Sequence, residues 1–336
     1  MKVSVIVCTY NRCQILDQAL ESVAVSELPE SVEWEVLVVD NNSNDRTREV
    51  INGFREEHPD RFRYLFEPKQ GKSNALNAGI REATGDILAF TDDDIIVAPT
   101  WLWNLVAALD SGEWSSAGGR IGAANSFQCP PWLALQGDHS LGSVLGFFDL
   151  GDKAGASSEP FFGGNVAYRK EVFEKCGLYR TDLGRSGTSL LGCEDTEFSL
   201  RVMTSGESLW YEPSAVVYHA VPRDRLSKSH FLNYFFHHGR SRIRESANRA
   251  DVSGIPRWCF SVPFIVLNLL TPRAGNWLFT LDAKRRFYFK CLVWETLGEI
   301  VELPRLRLEE KQPKGNTGQV AAASQARLRE SAQILK

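Results

Sequence analysis

Asp86-Ile-Leu-Ala-Phe-Thr-Asp92-Asp93-Asp94-Ile-Ile96 carries an apolar strand straight into three consecutive carboxylates. Like charges packed at the end of a buried strand repel one another, so they persist where something positive offsets them. Hard divalent cations such as Mg²⁺ and Mn²⁺ take carboxylate oxygens as ligands. In an open α/β sheet the carboxyl ends of the strands are also where ligands bind. The plainer reading of an isolated acidic triplet is a solvated turn that caps the next segment.

The chain before the triplet alternates strands and helices. Val3 to Cys8 is a short apolar run, and Gln14 to Val25 carries Ile15, Leu16, Ala19, Leu20 and Val23 at helical spacing. Trp34 to Val39 predicts a second strand, Arg46 to Glu56 a helix and Phe62 to Phe66 a third strand. Ser73 to Ala83 predicts a helix with Ser73 as its N-cap and Gly85 near its end, and Ile87 to Phe90 a fourth strand. This order predicts a doubly wound, mainly parallel α/β sheet with helices on both faces.

Such a sheet gathers the polar residues on one edge. Thr9, Tyr10 and Asn11 follow the first strand; Asp40, Asn41, Asn42 and Ser43 follow the second. Lys72 precedes a helix, and Asp92, Asp93 and Asp94 follow the fourth strand. Individually, Asp40 reads as an Asx-turn, Ser43 as a helix cap and Lys72 as a surface lysine. Together they outline a site for a nucleotide-sized ligand. The glycines of a Gly-x-x-x-x-Gly-Lys-Ser/Thr phosphate loop are missing before Lys72, which excludes a P-loop nucleotidase.

Val3 to Arg12, Val38 to Ser43, Gly71 to Gly79 and Thr91 to Asp94 resemble, in order, the successive motifs of glycosyltransferase family 2. The resemblance spans Met1 to Pro222. It implies the GT-A fold, a nucleotide-sugar donor with UDP the commonest carrier, a Mn²⁺ or Mg²⁺ cofactor and inversion at the anomeric carbon. It makes Thr9, Tyr10, Asn11, Asp40, Asn42, Lys72 and Asp92 nucleotide-binding positions, with Asp40 accepting from the base. Asp92 and Asp94 become the Asp-x-Asp metal ligands and Asp93 a structural residue between them.

Leu191 to Arg201 starts a helix with Glu194 and Asp195 in its first turn, where the helix dipole favours carboxylates. The pair also resembles the family's Glu-Asp motif, which implies Asp195 as general base and Glu194 as a positioning carboxylate. An inverting displacement needs one carboxylate to take the acceptor proton. Gly163, Gly164 and Asn165 resemble the family's donor and acceptor loop, although two glycines also suit any tight turn. Trp210 to His219 predicts a strand pair; His219 resembles a third metal ligand, a role imidazole fills well for Mn²⁺. Arg223 and Arg225 are candidate diphosphate contacts, because guanidinium matches phosphate geometry. The Gln-x-x-Arg-Trp motif of the family's processive synthases is absent, which favours single-sugar addition.

The domains read as 1–228 catalytic, 229–308 a helical, aromatic-rich extension and 309–336 a polar tail. The extension is either a membrane-interface element or a layer packed on the protein or on a second copy. Its apolar run from Trp258 to Leu270 is shorter than the ~20 residues a spanning helix needs. A net charge of −4 argues against a general nucleic-acid partner. Seven scattered cysteines without Cys-x-x-Cys spacing read as reduced, mostly buried thiols, and no signal peptide leads the first strand, so a cytoplasmic enzyme is expected. The acceptor implied is a glycan or lipid-linked sugar in surface or exopolysaccharide synthesis, with peripheral contact at the inner face of the membrane. The alternatives are an inactive nucleotide-binding scaffold or a sugar nucleotidyltransferase; the Gly-x-Gly-Thr/Ser-Arg loop of the latter is missing.

Overall fold

Alternation along the first strand, β1 (Lys2–Thr9), sets the layers: Val3, Val5 and Val7 join one apolar cluster and Ile6 the other. A strand buried on both faces reads as a continuous apolar run, as here. The computed structural model describes residues 1–187, 190–249 and 261–311. Its first half runs β1, α1 (Cys13–Ala24), β2 (Glu33–Asp40), α2 (Thr47–Glu57), β3 (Phe62–Phe66), α3 (Lys72–Glu82) and β4 (Ile87–Asp92). Then come β5 (Ile95–Val97), α4 (Trp101–Asp110), β6 (Ser116–Ala123), β7 (Gly155–Ala156), β8 (Val166–Arg169) and α5 (Lys170–Cys176). The catalytic-sized unit closes with α6 (Glu194–Thr204) and β9 (Leu209–His219).

The strands lie in the order β3-β2-β1-β4-β8-β6-β9-β5, with β7 paired to β9. β3, β2, β1 and β4 are parallel. β8 runs antiparallel to β4 and β6, and β5 antiparallel to β9, so the sheet is mixed beyond β4. One face is covered by α1, α2 and α4 through Leu20, Ile51 and Trp101. The other is covered by α3, α5 and α6 through Leu76, Phe173 and Phe198.

Register delivers the polar residues to one edge. Thr9 stands opposite Asp40 on β2, and Cys8 opposite Asp92 on β4. Because β5 pairs Ile95 with His219, the end of β9 returns beside the acidic triplet, and the Ala220 N–H donates to the Asp94 carbonyl at 2.9 Å.

Three local expectations are corrected. Trp210 to His219 is one strand, not a pair; Pro213 has no N–H to donate, and the ladder with β6 slips there instead of turning. Ser73 lies inside α3 and does not cap it: its hydroxyl donates to the Leu183 carbonyl at 2.8 Å, while Gly71, at φ +132°, opens the helix. Of the six described cysteines only Cys291 is fully buried; four are half-buried and Cys129 is exposed.

From Lys228 the described chain is helical: α7 (Lys228–Arg249), α8 (Val262–Ile265), a π turn over Val266–Leu270, α9 (Thr271–Phe279) and α10 (Ala283–Lys311). Trp258, Cys259 and Phe260 of the apolar run, and the tail from 312 to 336, lie outside the described residues. α7 and α10 pack backbone to backbone. A Cβ on Gly239 would meet the Glu295 carbonyl at 1.9 Å, and one on Gly298 the Phe236 carbonyl at 1.9 Å. No helix among the described residues is long and apolar enough to cross a membrane.

Candidate active site

The loops after β1 and β2 are clasped to each other. The Asn11 N–H donates to Ser43 Oγ at 3.0 Å, and the Asn44 N–H to Asn11 Oδ1 at 2.8 Å. Asn11 and Asn42 adopt left-handed backbone, φ 51° and 67°, which asparagine tolerates better than most residues. Cys193, at φ 68°, is the third such residue among those described and stands directly before Glu194. All three therefore flank one edge of the sheet. Tyr10 is exposed at the tip of the first loop.

Asp40 does what its turn chemistry predicts: Oδ1 accepts the Ser43 N–H at 2.9 Å, while Oδ2 accepts the Tyr64 hydroxyl at 3.0 Å. A cavity of about 540 Å³ opens beside it, lined by Asp40, Ser43, Arg48, Tyr64 and Phe66 among others. The buried Asn41 pins the next loop, donating to the Glu67 and Lys69 carbonyls and accepting the Gly71 N–H at 2.8 Å. That pin aims Lys72 back at the sheet.

Lys72 Nζ lies 2.6 Å from Asp92 Oδ1 and 3.7 Å from Glu194 Oε1. Burial opposes its charge, but Asp92, Glu194 and Asp195 outweigh burial and hold the ammonium protonated. Burial also pushes the Glu194 carboxyl up to about 7, with the neighbouring Asp195 charge adding to the effect and Lys72 opposing it. The Gly163-Gly164 turn touches both carboxylate sets. A Cβ on Gly164 would lie 2.5 Å from Ile95 Cδ1 and 3.5 Å from Asp92 Oδ2, so a larger residue would have to displace the Ile95 side chain beside the acidic edge. The Gly163 N–H donates to Asp195 Oδ2 at 2.9 Å, and the Thr196 N–H donates to Oδ1 at 2.7 Å. Asp195 is half-buried and oriented from both oxygens. Asn165 is spent on structure: Nδ2 donates to the Arg120 and Ala215 carbonyls and Oδ1 accepts from Trp101 Nε1.

Asp94 Oδ2 faces two guanidinium groups and an imidazole: Arg12 Nη1 at 2.8 Å, Arg225 Nη1 at 3.3 Å and His219 Nε2 at 3.3 Å. Burial would raise its pKa, but these partners, His219 foremost, hold it well below the ordinary carboxylate value. Arg12 also reaches Asp93 Oδ1 at 2.8 Å, yet burial still pushes that carboxyl up to about 6, with the Asp94 charge adding to it. His219 Nδ1 is taken by the Leu145 carbonyl, which leaves Nε2 for Asp94. Arg223 is exposed, whereas Arg225 of the same turn reaches Asp94, so the two candidate arginines part company. Arg12 closes the Val3–Arg12 motif, but the resemblance assigns it no role; its place directly after Thr9-Tyr10-Asn11 is the signal the sequence offers.

The donor set can be weighed against a divalent cation. Among the described residues no three His, Cys, Asp or Glu side chains close on one point. Asp92 stands with Lys72, while Asp94 and His219 face each other. One carboxylate oxygen plus one imidazole nitrogen suits a cation whose other positions are filled by phosphate oxygens and water, as is common for phosphate-bound metals.

Residues 4–177 match the family model described as Glycosyl transferase family 2. The succinoglycan biosynthesis protein ExoM of Rhizobium meliloti is 29% identical over 245 residues, 73% of this chain and 75% of its own. The glucosyl-dolichyl phosphate glucuronosyltransferase of Haloferax volcanii is 28% identical over 229 residues, 66% of this chain and 70% of its own. Among solved structures, the mannosyltransferase PcManGT from Pyrobaculum calidifontis, in complex with GDP-Man and Mn²⁺, superposes with a TM-score of 0.57. That match covers 90% of this chain and 86% of the other at 22% identity, a likeness of fold.

Proposed function

Because this chain belongs to glycosyltransferase family 2, with the sheet of the GT-A glycosyltransferases, we propose that it moves a single sugar from a nucleotide-sugar donor to a glycan or lipid-linked acceptor, with inversion. UDP is the carrier we assign. The observation that carries this reading is the orientation of Asp195, gripped through both carboxylate oxygens by the Gly163 and Thr196 N–H groups. A base held this firmly takes the acceptor hydroxyl's proton without first reorganising. Glu194, its carboxyl pushed up by burial and by the Asp195 charge, resists placing a second full negative charge beside Asp195, while its contact with Lys72 orients that lysine.

The nucleoside end would lie over Thr9 and Asp40, with the cavity beside Tyr64 receiving the base. Asp94 and His219 would hold Mn²⁺ or Mg²⁺ together with the donor's diphosphate. When bound, the cation offsets the charge that builds on the leaving nucleoside diphosphate. Arg12 and Arg225, already against Asp94, supply fixed positive charge to the same end, and Lys72 does so from the Asp92 side. Two relatives, one named for succinoglycan biosynthesis and one for a dolichyl-phosphate-linked sugar, support an acceptor in surface-glycan assembly.

Thermal stability with UDP, dTDP or GDP, each with and without Mn²⁺, tests the reading, since a ligand that binds only the folded state raises apparent stability. A manganese-dependent rise with UDP supports it in full. A rise with another diphosphate changes the carrier, and no rise with any of them overturns the donor site.

A further inference from the structure

We propose that the outer face of residues 262–279 and the turn into α10 form a docking surface for an anionic lipid bilayer. Leu267 is 71% exposed, Leu278 66%, Phe279 84% and Leu281 96%, and Pro263, Val266 and Pro272 are exposed beside them. Large apolar side chains exposed this often along one segment, with only the uncharged Asn268, Thr271 and Asn276 exposed among them, mark an interaction surface. From Ser261 to Leu281 the only charged residue is Arg273. Its guanidinium is turned inward, donating to Thr296 Oγ1 at 2.6 Å, to the Leu292 carbonyl at 3.2 Å and to Glu295 at 3.2 Å. The outer face therefore carries no charge over five helical turns.

Positive charge begins where that face ends. Lys284, Arg285 and Arg286 are consecutive and exposed, on a chain whose net charge is −4. Asp282, the one acid at the turn, is engaged as the cap of α10, accepting the Arg285 N–H at 2.7 Å. Apolar prongs bordered by basic residues are the composition of a segment that lies in a membrane interface, its apolar side among acyl chains and its cations among phosphates. Since no described helix can span, the enzyme would sit on the surface. A second copy of this chain is the less fitting occupant: a two-fold contact over this face would bring two Lys-Arg-Arg clusters together.

The surface is joined to the catalytic edge by one apolar cluster. Phe287, directly after Arg286, packs its ring 5.0 Å from that of Trp132, and the same cluster holds Leu145, whose carbonyl fixes His219. A lipid-linked acceptor held in that interface would thus meet the enzyme on the side that carries the site. Surface binding itself does not rest on the transfer reading.

The test is co-sedimentation of the full chain with vesicles of phosphatidylcholine alone or with an equimolar share of phosphatidylglycerol, without donor or metal. We expect binding to the anionic vesicles that weakens with salt. Leu278→Ser with Phe279→Ser and Leu281→Ser should weaken it about tenfold or more, and Lys284→Glu with Arg285→Glu and Arg286→Glu should remove the preference for anionic lipid. All six side chains are exposed, so unchanged circular dichroism melting identifies folded variants. The proposal is overturned if the wild-type chain stays in the supernatant, if the triple serine variant binds as well as wild type, or if sedimentation velocity shows a dimer that this variant dissolves while vesicles are ignored. Each of these outcomes is read without turnover and leaves the donor site to its own experiment.

Discussion

The molecule buries charge in two places and handles it in different ways. Around α10, the carboxylates of Glu295, Glu299 and Glu302 meet cations from α7 and, at Arg273, from α9. Glu302 is fully buried between Arg240 and Arg244, and Glu295 meets His238, Arg242 and Arg273. At the carboxyl edge of the sheet, Asp92, Asp93 and Asp94 adjoin one another, as do Glu194 and Asp195, and the cations facing them come from the loop after β1, the start of α3 and the turn after β9. Paired charges on facing helices satisfy each other and hold a register. Like charges set side by side are relieved by facing cations or by what binds, and the pKa directions differ within each place: Glu302 is lowered despite burial, by Arg240 and Arg244, and Asp94 by His219, Arg12 and Arg225, whereas Glu194 and Asp93 are raised by burial and by their acidic neighbours, and Glu299 by burial.

The sharpest test of that contrast is Asp195→Asn. Transfer should fall about 10²–10⁴-fold, while donor affinity by calorimetry and the melting temperature stay near wild type; an equal loss of stability would make this edge structural. Glu302→Ala should do the reverse. Removing one partner of a buried charge cluster is expected to destabilise by about 3–5 kcal/mol, read by urea unfolding, with donor affinity unaltered. Asp94→Ala or His219→Ala should weaken Mn²⁺-dependent diphosphate binding by about tenfold, ~1.4 kcal/mol, and chelator should reduce wild type to the same level. Equal binding with and without metal in wild type would remove the cation from the reading.

A pH-dependent effect concerns a further carboxylate, at the amino end of the sheet. Glu35 accepts from Ser4 Oγ, from the Thr84 N–H and hydroxyl and from Arg63; burial would raise its pKa, but these donors hold it at about 2 instead of 4.5. A depressed folded value means its stabilisation is complete above about pH 5 and fades as pH falls through 2. Glu35→Gln should therefore lower stability by about 1–3 kcal/mol at neutral pH and flatten the acid limb of the unfolding profile. An unchanged acid limb would place the depression elsewhere.

The first four strands and their helices were legible because short apolar runs and helical spacing are local signals; Phe62–Phe66 is found at the residues expected. In the second half only Trp210–His219 was, and there as a pair of strands instead of the single β9. β7 has two residues and β8 four, too few for periodicity, and both exist through pairing with strands distant in sequence. At the site, residue types were readable and partnerships were not. Lys72 and Asp92 meet because Asn41 fixes the loop at Gly71, and His219 meets Asp94 because β5 and β9 are antiparallel. Asn165 shows the converse: its place in a glycine loop suggested ligand contact, yet Trp101, Arg120 and Ala215 consume its amide.

The left-handed corners at Asn11, Asn42 and Cys193 have a consequence for anyone engineering this enzyme. Glycine at any of them would relax the backbone, and for Cys193 most of all, since a thiol side chain gains nothing from that conformation. Selection for heat tolerance alone would drift toward those replacements and slacken the loops that aim Asp40, Lys72 and Asp195. A campaign for a more durable catalyst belongs on the α7–α10 pair, with these three corners left as they are.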